Sequence, residues 1–237
     1  MPILMPFLKL AYYPIPKVAC TSMKHAIFKI NNEIDYKEVN FANKRKATGP
    51  AGRKRNKCQI HSIYKTEIFS LESYEALGDY RKITLVRDPI SRILSAYSNR
   101  VLSKSVLNKQ RTQRQLEKAG LPLQPSLDEF VLNIAGYRKA SSAIQSHTRP
   151  IRRFLGDDLG RFDRIFRLSD MPELEAFLSQ EIGHEISVPQ EQASDIKFTL
   201  DDLSDESFEL LRDFCRLDYE LLADYYPVPQ REPSETA

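Results

Sequence analysis

Residues able to do chemistry concentrate at a few points of this 237-residue chain. Pro16-Lys17-Val18-Ala19-Cys20-Thr21-Ser22 follows an apolar run that begins near Phe7, and sets a lysine and two hydroxyls where a strand gives way to a helix. Backbone N–H groups from Val18 to Ser22 can face an anion there. The dipole of a helix beginning near Ser22 reinforces them, and Lys17 adds a mobile point charge. The segment has no glycine and the pattern G-x-x-x-x-G-K-[ST] is absent, which makes an ATP or GTP loop a poor fit. A second cationic point is Arg87, at the end of the run Tyr80–Val86, with Ser95 two turns into the next helix. Arg87 and Ser95 can hold a phosphate of their own, so one ligand carrying two separated phosphates fits the pair better than two ligands. The four histidines, His25, His61, His147 and His184, are the side chains best suited to accept a proton at neutral pH.

The elements that must position these groups read as follows. Leu8 to Ile15 is short and apolar, as a buried parallel strand requires. Met23, Ala26, Ile27 and Ile30 then recur at helical spacing, and Tyr80 to Val86 is a second strand. Asp88 as N-cap and Pro89 at the first helical position open a helix with Ile90, Ile93, Leu94 and Tyr97 on its apolar face. Residues 101–118 are polar and basic and predict an exposed helix beside the substrate. Ser126-Leu127-Asp128-Glu129 is a capping box opening a helix that buries Leu127, Phe130, Val131 and Ile134. Phe162 to Leu168 is a third strand, and Pro172 to Ile182 a helix with Gly183 past its end. Ser204 opens a last long helix with Phe208, Leu211, Cys215, Tyr219 and Leu222 inward. The alternation of strands and helices predicts right-handed crossovers and a mostly parallel sheet covered on both faces, a single three-layer α/β/α domain over 1–226. Residues 227–237 read as a disordered tail. Ligands of such folds bind outside the carboxyl ends of the strands, where Lys17 and Arg87 both fall.

Composition narrows the function classes. The chain is 41% apolar and 28% charged, with no apolar run long enough for a membrane helix and no basic n-region or cleavage site ahead of MPILMPFLKL. A cytoplasmic setting is the expectation. Cys20, Cys58 and Cys215 are too few and too scattered for a disulfide framework or a zinc site, so free thiols and no metal are expected. The net charge is +3, concentrated in Lys44 to Lys57 and in the arginines from Arg149 to Arg167, which suits a polyanionic ligand. Neither run is interleaved with aromatics, so nucleic acid is not the expected partner.

The heptapeptide at Lys17 resembles the 5′-phosphosulfate loop of carbohydrate sulfotransferases, the Golgi group that includes the chondroitin and dermatan enzymes. Val86-Arg87-Asp88-Pro89-Ile90-Ser91-Arg92-Ile93-Leu94-Ser95-Ala96-Tyr97 resembles their 3′-phosphate motif, in the same order and spacing. Ser146-His147-Thr148-Arg149-Pro150 is similar to a histidine–proline segment of that family, and Leu217-Asp218-Tyr219 to its C-terminal helix. A tryptophan common after the Thr-Ser pair is replaced by Met23. The resemblance implies a P-loop-like sulfotransferase fold and 3′-phosphoadenosine 5′-phosphosulfate as co-substrate without a metal, with a carbohydrate acceptor, possibly an acidic polysaccharide. It implies that Lys17, Val18, Ala19, Cys20, Thr21 and Ser22 bind the 5′-phosphosulfate and that Arg87 and Ser95 bind the 3′-phosphate. Lys17 would steady the leaving phosphate and His61, where relatives often place a histidine, would serve as base, with His147 on the substrate side. Glu33, Glu38 and Glu67 are alternative bases. Arg92 either pairs with Asp88 or approaches the nucleotide.

Two other classes compete. A P-loop-like nucleotide kinase lacks the expected glycines and an acidic metal-binding strand end. A non-catalytic anion- or polysaccharide-binding module would keep the fold without needing Lys17.

Overall fold

The computed structural model describes residues 2–39, 60–191 and 196–231. The basic run Lys44 to Lys57, with Cys58, lies outside them, as do residues 232–237 of the expected tail. The chain groups into two compact units. One comprises Met1–Ile15, Ala19–Leu85 and Arg161–Gln192, the other Pro16–Val18, Val86–Gly160 and Ala193–Ala237.

The first unit is built on a four-stranded sheet in the order β1 (Ile3–Met5), β2 (Leu10–Tyr13), β3 (Arg81–Val86), β4 (Arg164–Arg167). β2 and β3 run parallel, with Tyr12 opposite Ile83 and Tyr13 opposite Thr84. Leu10, Ala11, Tyr12 and Tyr13 are all buried, as are Lys82 to Val86, which is the near-continuous burial that a strand covered on both faces demands. The α/β architecture is therefore as the sequence reads it. β1 is an addition to that reading: Pro2 and Pro6 bracket a three-residue strand, which pairs antiparallel to β2 at the sheet edge, where proline costs no ladder bond. A 3-10 turn over Pro6–Leu8 and a left-handed Lys9 separate the two strands, so the expected strand from Leu8 starts two residues later.

Helix Cys20–Asn32 packs on β1 and on the short helix Ile60–Ile63. It buries Met23, Lys24, Ala26, Ile27 and Phe28, and begins two residues earlier than the spacing of its apolar residues suggests. Helix Met171–Ile182 ends at Gly183 with φ 86°, the left-handed terminus for which the glycine was read.

The second unit is helical. Asp88 caps helix Pro89–Ala96 by accepting from the Ser91 N–H at 2.7 Å, and its other oxygen takes the Tyr219 hydroxyl at 2.6 Å. Ile90, Ile93, Leu94, Tyr97, Phe130, Tyr137, Phe208, Leu211 and Tyr219 form its core. The capping box at Ser126 is present with both of its bonds. Two local departures matter below. From Tyr97 to Ser103 the helix widens to a π-turn, with the Lys104 N–H reaching back five residues to the Asn99 carbonyl at 3.0 Å. The last helix breaks at Cys215 into Asp205–Phe214 and Arg216–Leu221, while all five of its expected inward residues stay buried.

Candidate active site

The carboxyl ends of β2 and β3 lie side by side, because the parallel register sets Tyr13 against Thr84. The chain leaves β2 into the heptapeptide and leaves β3 into Arg87. That is the placement an anion site in an α/β sheet needs.

In the first unit, the heptapeptide's latter half opens helix Cys20–Asn32. Ala19 is its N-cap in the left-handed region (φ 44°, ψ 23°), no side chain caps the first turn, and no acidic residue lies in it. The first amides are thus left for another acceptor, with the positive end of a 13-residue helix behind them. Ser22 is buried, and its Oγ accepts from the Glu191 N–H at 3.0 Å, so its proton remains for donation. Thr21 Oγ1 lies 3.1 Å from His61 Nε2, and His61 Nδ1 lies 3.0 Å from Lys24 Nζ. Lys24 is fully buried and also donates to Thr66 Oγ1 at 2.7 Å. Burial lowers its pKa from 10.5, with the nearby Cys20 sulfur opposing. No carboxylate among the described residues pairs with it.

An ammonium has no lone pair to offer, so Lys24 fixes Nδ1 of His61 as an acceptor and the ring proton on Nε2. The Nε2 side of the ring then faces Thr21 Oγ1.

In the second unit, Arg87 donates through Nη1 to the Lys17 carbonyl at 3.2 Å, which joins it to the start of the heptapeptide. Burial is the main influence lowering the Arg87 pKa, ahead of the favourable Asp88 charge, a cost that a bound anion would offset. Lys17 itself holds φ 69°, a left-handed conformation that a non-glycine residue keeps only where its surroundings impose it. Ser95 is half-buried on helix Pro89–Ala96.

His147 ends helix Ser142–His147. Its Nδ1 donates to the Ala143 carbonyl at 2.7 Å, so Nε2 is unprotonated and accepts from Arg100 Nη2. Burial first, then the Arg100 charge, holds its pKa down to about 4; Lys17 and Arg92 push the same way, and the Ala143 carbonyl opposes. Lys17, Arg92, Arg100 and His147 thus share one electrostatic neighbourhood.

Arg92 takes neither of the two roles read for it. It is fully buried, donates to the carbonyls of His147 (3.1 Å) and Arg149 (2.8 Å), and faces Asp218 at 3.5 Å. Asp218 in turn accepts from the Ile151 N–H at 2.7 Å. The guanidinium is a strut of the second unit, because its side chain lies on the inward face of helix Pro89–Ala96, one turn from the start, and is fully buried.

The remaining sequence candidates lie elsewhere. His25 stacks edge-on against Tyr36 at 5.1 Å, and His184 is exposed beyond its helix. Glu33, Glu38 and Glu67 are exposed. The arginine-rich stretch is divided between the units: Arg152 pairs with Asp157, Arg167 pairs with Asp170, and Arg164 lies over the Phe177 ring at 4.9 Å. Among the described residues no group of acidic, cysteine or histidine side chains is arranged to hold a metal, and no helix is long and apolar enough to cross a membrane.

Lys24, Thr66 and Arg100 are the polar groups of these clusters that the sequence reading passed over. Lys24 carried a signal: it follows Thr21 by three residues, on the helix face that also holds Ile27 and Phe28. Arg100 carried none, since only the widened turn brings it to His147.

In comparisons with known proteins, the model of a family described as the sulfotransferase family matches residues 3–226. No curated protein matches, and no solved structure matches.

Proposed function

Since the chain belongs to the sulfotransferase family, we propose that it transfers a sulfuryl group from 3′-phosphoadenosine 5′-phosphosulfate to a hydroxyl of a carbohydrate acceptor, without a metal. The observation that carries this reading is the bond from Arg87 to the Lys17 carbonyl, which ties the arginine of the second motif to the lysine of the first. A ligand with two separated phosphates matches that pairing better than a triphosphate, and the glycine-free loop is consistent with it.

The donor supplies an activated sulfuryl group, and the chain supplies position and charge. The open first-turn amides with Thr21 and Ser22 hold the 5′-phosphate, and Arg87 with Ser95 holds the 3′-phosphate. Lys17 places its ammonium where negative charge develops on the leaving phosphate. His61 is the histidine at the loop. With Nδ1 on Lys24 and Nε2 on Thr21 both ring nitrogens are engaged, so it can take the acceptor's proton only after Lys24 releases Nδ1. His147 spends its lone pair on Arg100, which suits a part in shaping the acceptor side. An acidic polysaccharide is the acceptor class that the net positive charge favours.

Calorimetric titration tests the donor. The bisphosphate product 3′-phosphoadenosine 5′-phosphate is expected to bind and Arg87→Ala to weaken it, whereas ATP with magnesium is expected to bind poorly. The reverse order would establish the nucleotide-kinase alternative. Transfer of labelled sulfate to a glycan panel then separates an enzyme from a binding module.

A further inference from the structure

We propose that Lys24 is a positioning residue of the donor loop: through His61 it holds Thr21 with the hydroxyl proton turned outward, ready for a phosphate oxygen. The inference rests on reading the heptapeptide as a phosphate loop, and goes beyond it by adding a buried charge and a fixed tautomer behind that loop.

The argument begins with the cost of Lys24. A fully buried ammonium is expensive unless it is hydrogen-bonded and compensated, and its two acceptors are neutral, Thr66 Oγ1 at 2.7 Å and His61 Nδ1 at 3.0 Å. Its position on helix Cys20–Asn32, one turn from Thr21, puts positive charge just beneath the helix start. An anion bound at the first-turn amides supplies the missing compensation. The same ammonium also sets direction along the chain of bonds. Because Nζ can only donate while charged, Nδ1 of His61 must accept and Nε2–H must donate. Thr21 Oγ1, 3.1 Å away, receives that proton through a lone pair and keeps its own hydrogen for an outside acceptor. A hydroxyl that rotated freely would offer a lone pair to the phosphate as readily as a proton. A hydroxyl fixed in this way presents only the donor. Thr66 completes the arrangement by holding Nζ at its far side, so that the lysine cannot swing away from the imidazole.

Nitrogen-15 NMR of the histidine rings in the unmodified protein tests the bonding directly, with His61→Gln to assign the signal among four histidines. The expected spectrum has Nδ1 of His61 unprotonated and Nε2 protonated at neutral pH; a proton on Nδ1 overturns the proposal. Titration with 3′-phosphoadenosine 5′-phosphate tests the consequence. Lys24→Met is expected to weaken binding roughly tenfold, Thr21→Val by a similar factor, and the double variant no further. Thr66→Val, which leaves the ammonium in place but untethered, is expected to weaken it by a smaller factor and serves if Lys24→Met does not fold. Unchanged binding in Lys24→Met, or losses that multiply in the double variant, overturns the relay. If the unmodified chain does not bind the bisphosphate, the donor assignment falls, and the spectrum alone still decides whether Lys24 sets the His61 tautomer.

Discussion

His61 and His147 are held in opposite tautomers, one in each unit. Lys24 puts an ammonium against Nδ1 of His61, so the ring's proton sits on Nε2 and goes to Thr21. At His147 the Ala143 carbonyl takes the Nδ1 proton, and Nε2 accepts from Arg100. The first ring donates toward Thr21 at the helix start, and the second is the acceptor in a cluster of cations. The contrast teaches that a histidine's usefulness is decided by the group behind it, which neither its own position nor its spacing in the chain reveals.

The largest effect expected from breaking this contrast falls on the second ring's support. Asp218→Ala leaves Arg92 buried without the carboxylate it faces and removes the acceptor of the Ile151 N–H. A loss of about 3–5 kcal/mol is expected, measured by urea unfolding. Because Arg92 also holds the carbonyl of His147, the His147 signal should shift while that of His61 stays in place. Destabilisation below about 1 kcal/mol would mean that the pair is no strut.

Next comes the charge at the loop. Lys17→Ala is expected to lower sulfuryl transfer by about 100- to 1000-fold, the usual consequence of losing a group that meets developing charge. Lys17 also disfavours protonation of His147, so the same variant should raise that ring's pKa from about 4. Full turnover in Lys17→Ala would remove it from the leaving-group role, whatever the titration does.

Acid should then separate the two rings. The His147 pKa is lowered from 6.5 to about 4, so the folded chain resists a proton that the unfolded chain accepts. Its contribution is complete above pH 6.5 and is lost as pH falls toward 4, a difference of about 3 kcal/mol. His147→Asn keeps a donor for the Ala143 carbonyl and should flatten that part of the stability curve relative to the unmodified protein. Equal acid sensitivity in the two proteins would show that the buried ring is not its source.

Much of this architecture is written in local patterns. The Asp88-Pro89 start, the Ser126 capping box and the Gly183 stop each depend on a few adjacent residues, and each is found where the sequence reads it. The pairing of Lys17 with Arg87 was legible too, because strand ends of a parallel sheet converge. What the sequence hid depends on contacts over long separations or on small changes of helical pitch. Lys24 looks like a surface lysine until His61 and Thr66, about forty residues on, close over it. Arg92 looked available because Asp88, one turn before it, was the carboxylate in view, while its partner Asp218 lies 126 residues away in the chain. Arg100 meets His147 only through the π-turn, whose sequence, Tyr97 to Ser103, is that of an ordinary helix.

The smallest expected effect probes the backbone that carries Thr21. Ala19 sits at φ 44°, where a Cβ crowds the following carbonyl and glycine does not. Ala19→Gly should remove that strain at the cost of a more flexible unfolded chain, a net gain of about 0.5–1 kcal/mol on urea unfolding. Its effect on the donor depends on the His61 side of the comparison. If the Lys24–His61–Thr21 bonds fix the hydroxyl, freedom gained two residues upstream is absorbed, and affinity for 3′-phosphoadenosine 5′-phosphate stays within about twofold. In a Lys24→Met background the same glycine should weaken binding further, because the strained alanine is then the remaining restraint on the loop. Equal effects of Ala19→Gly in both backgrounds would mean that the loop is held by its own backbone and not by the buried lysine.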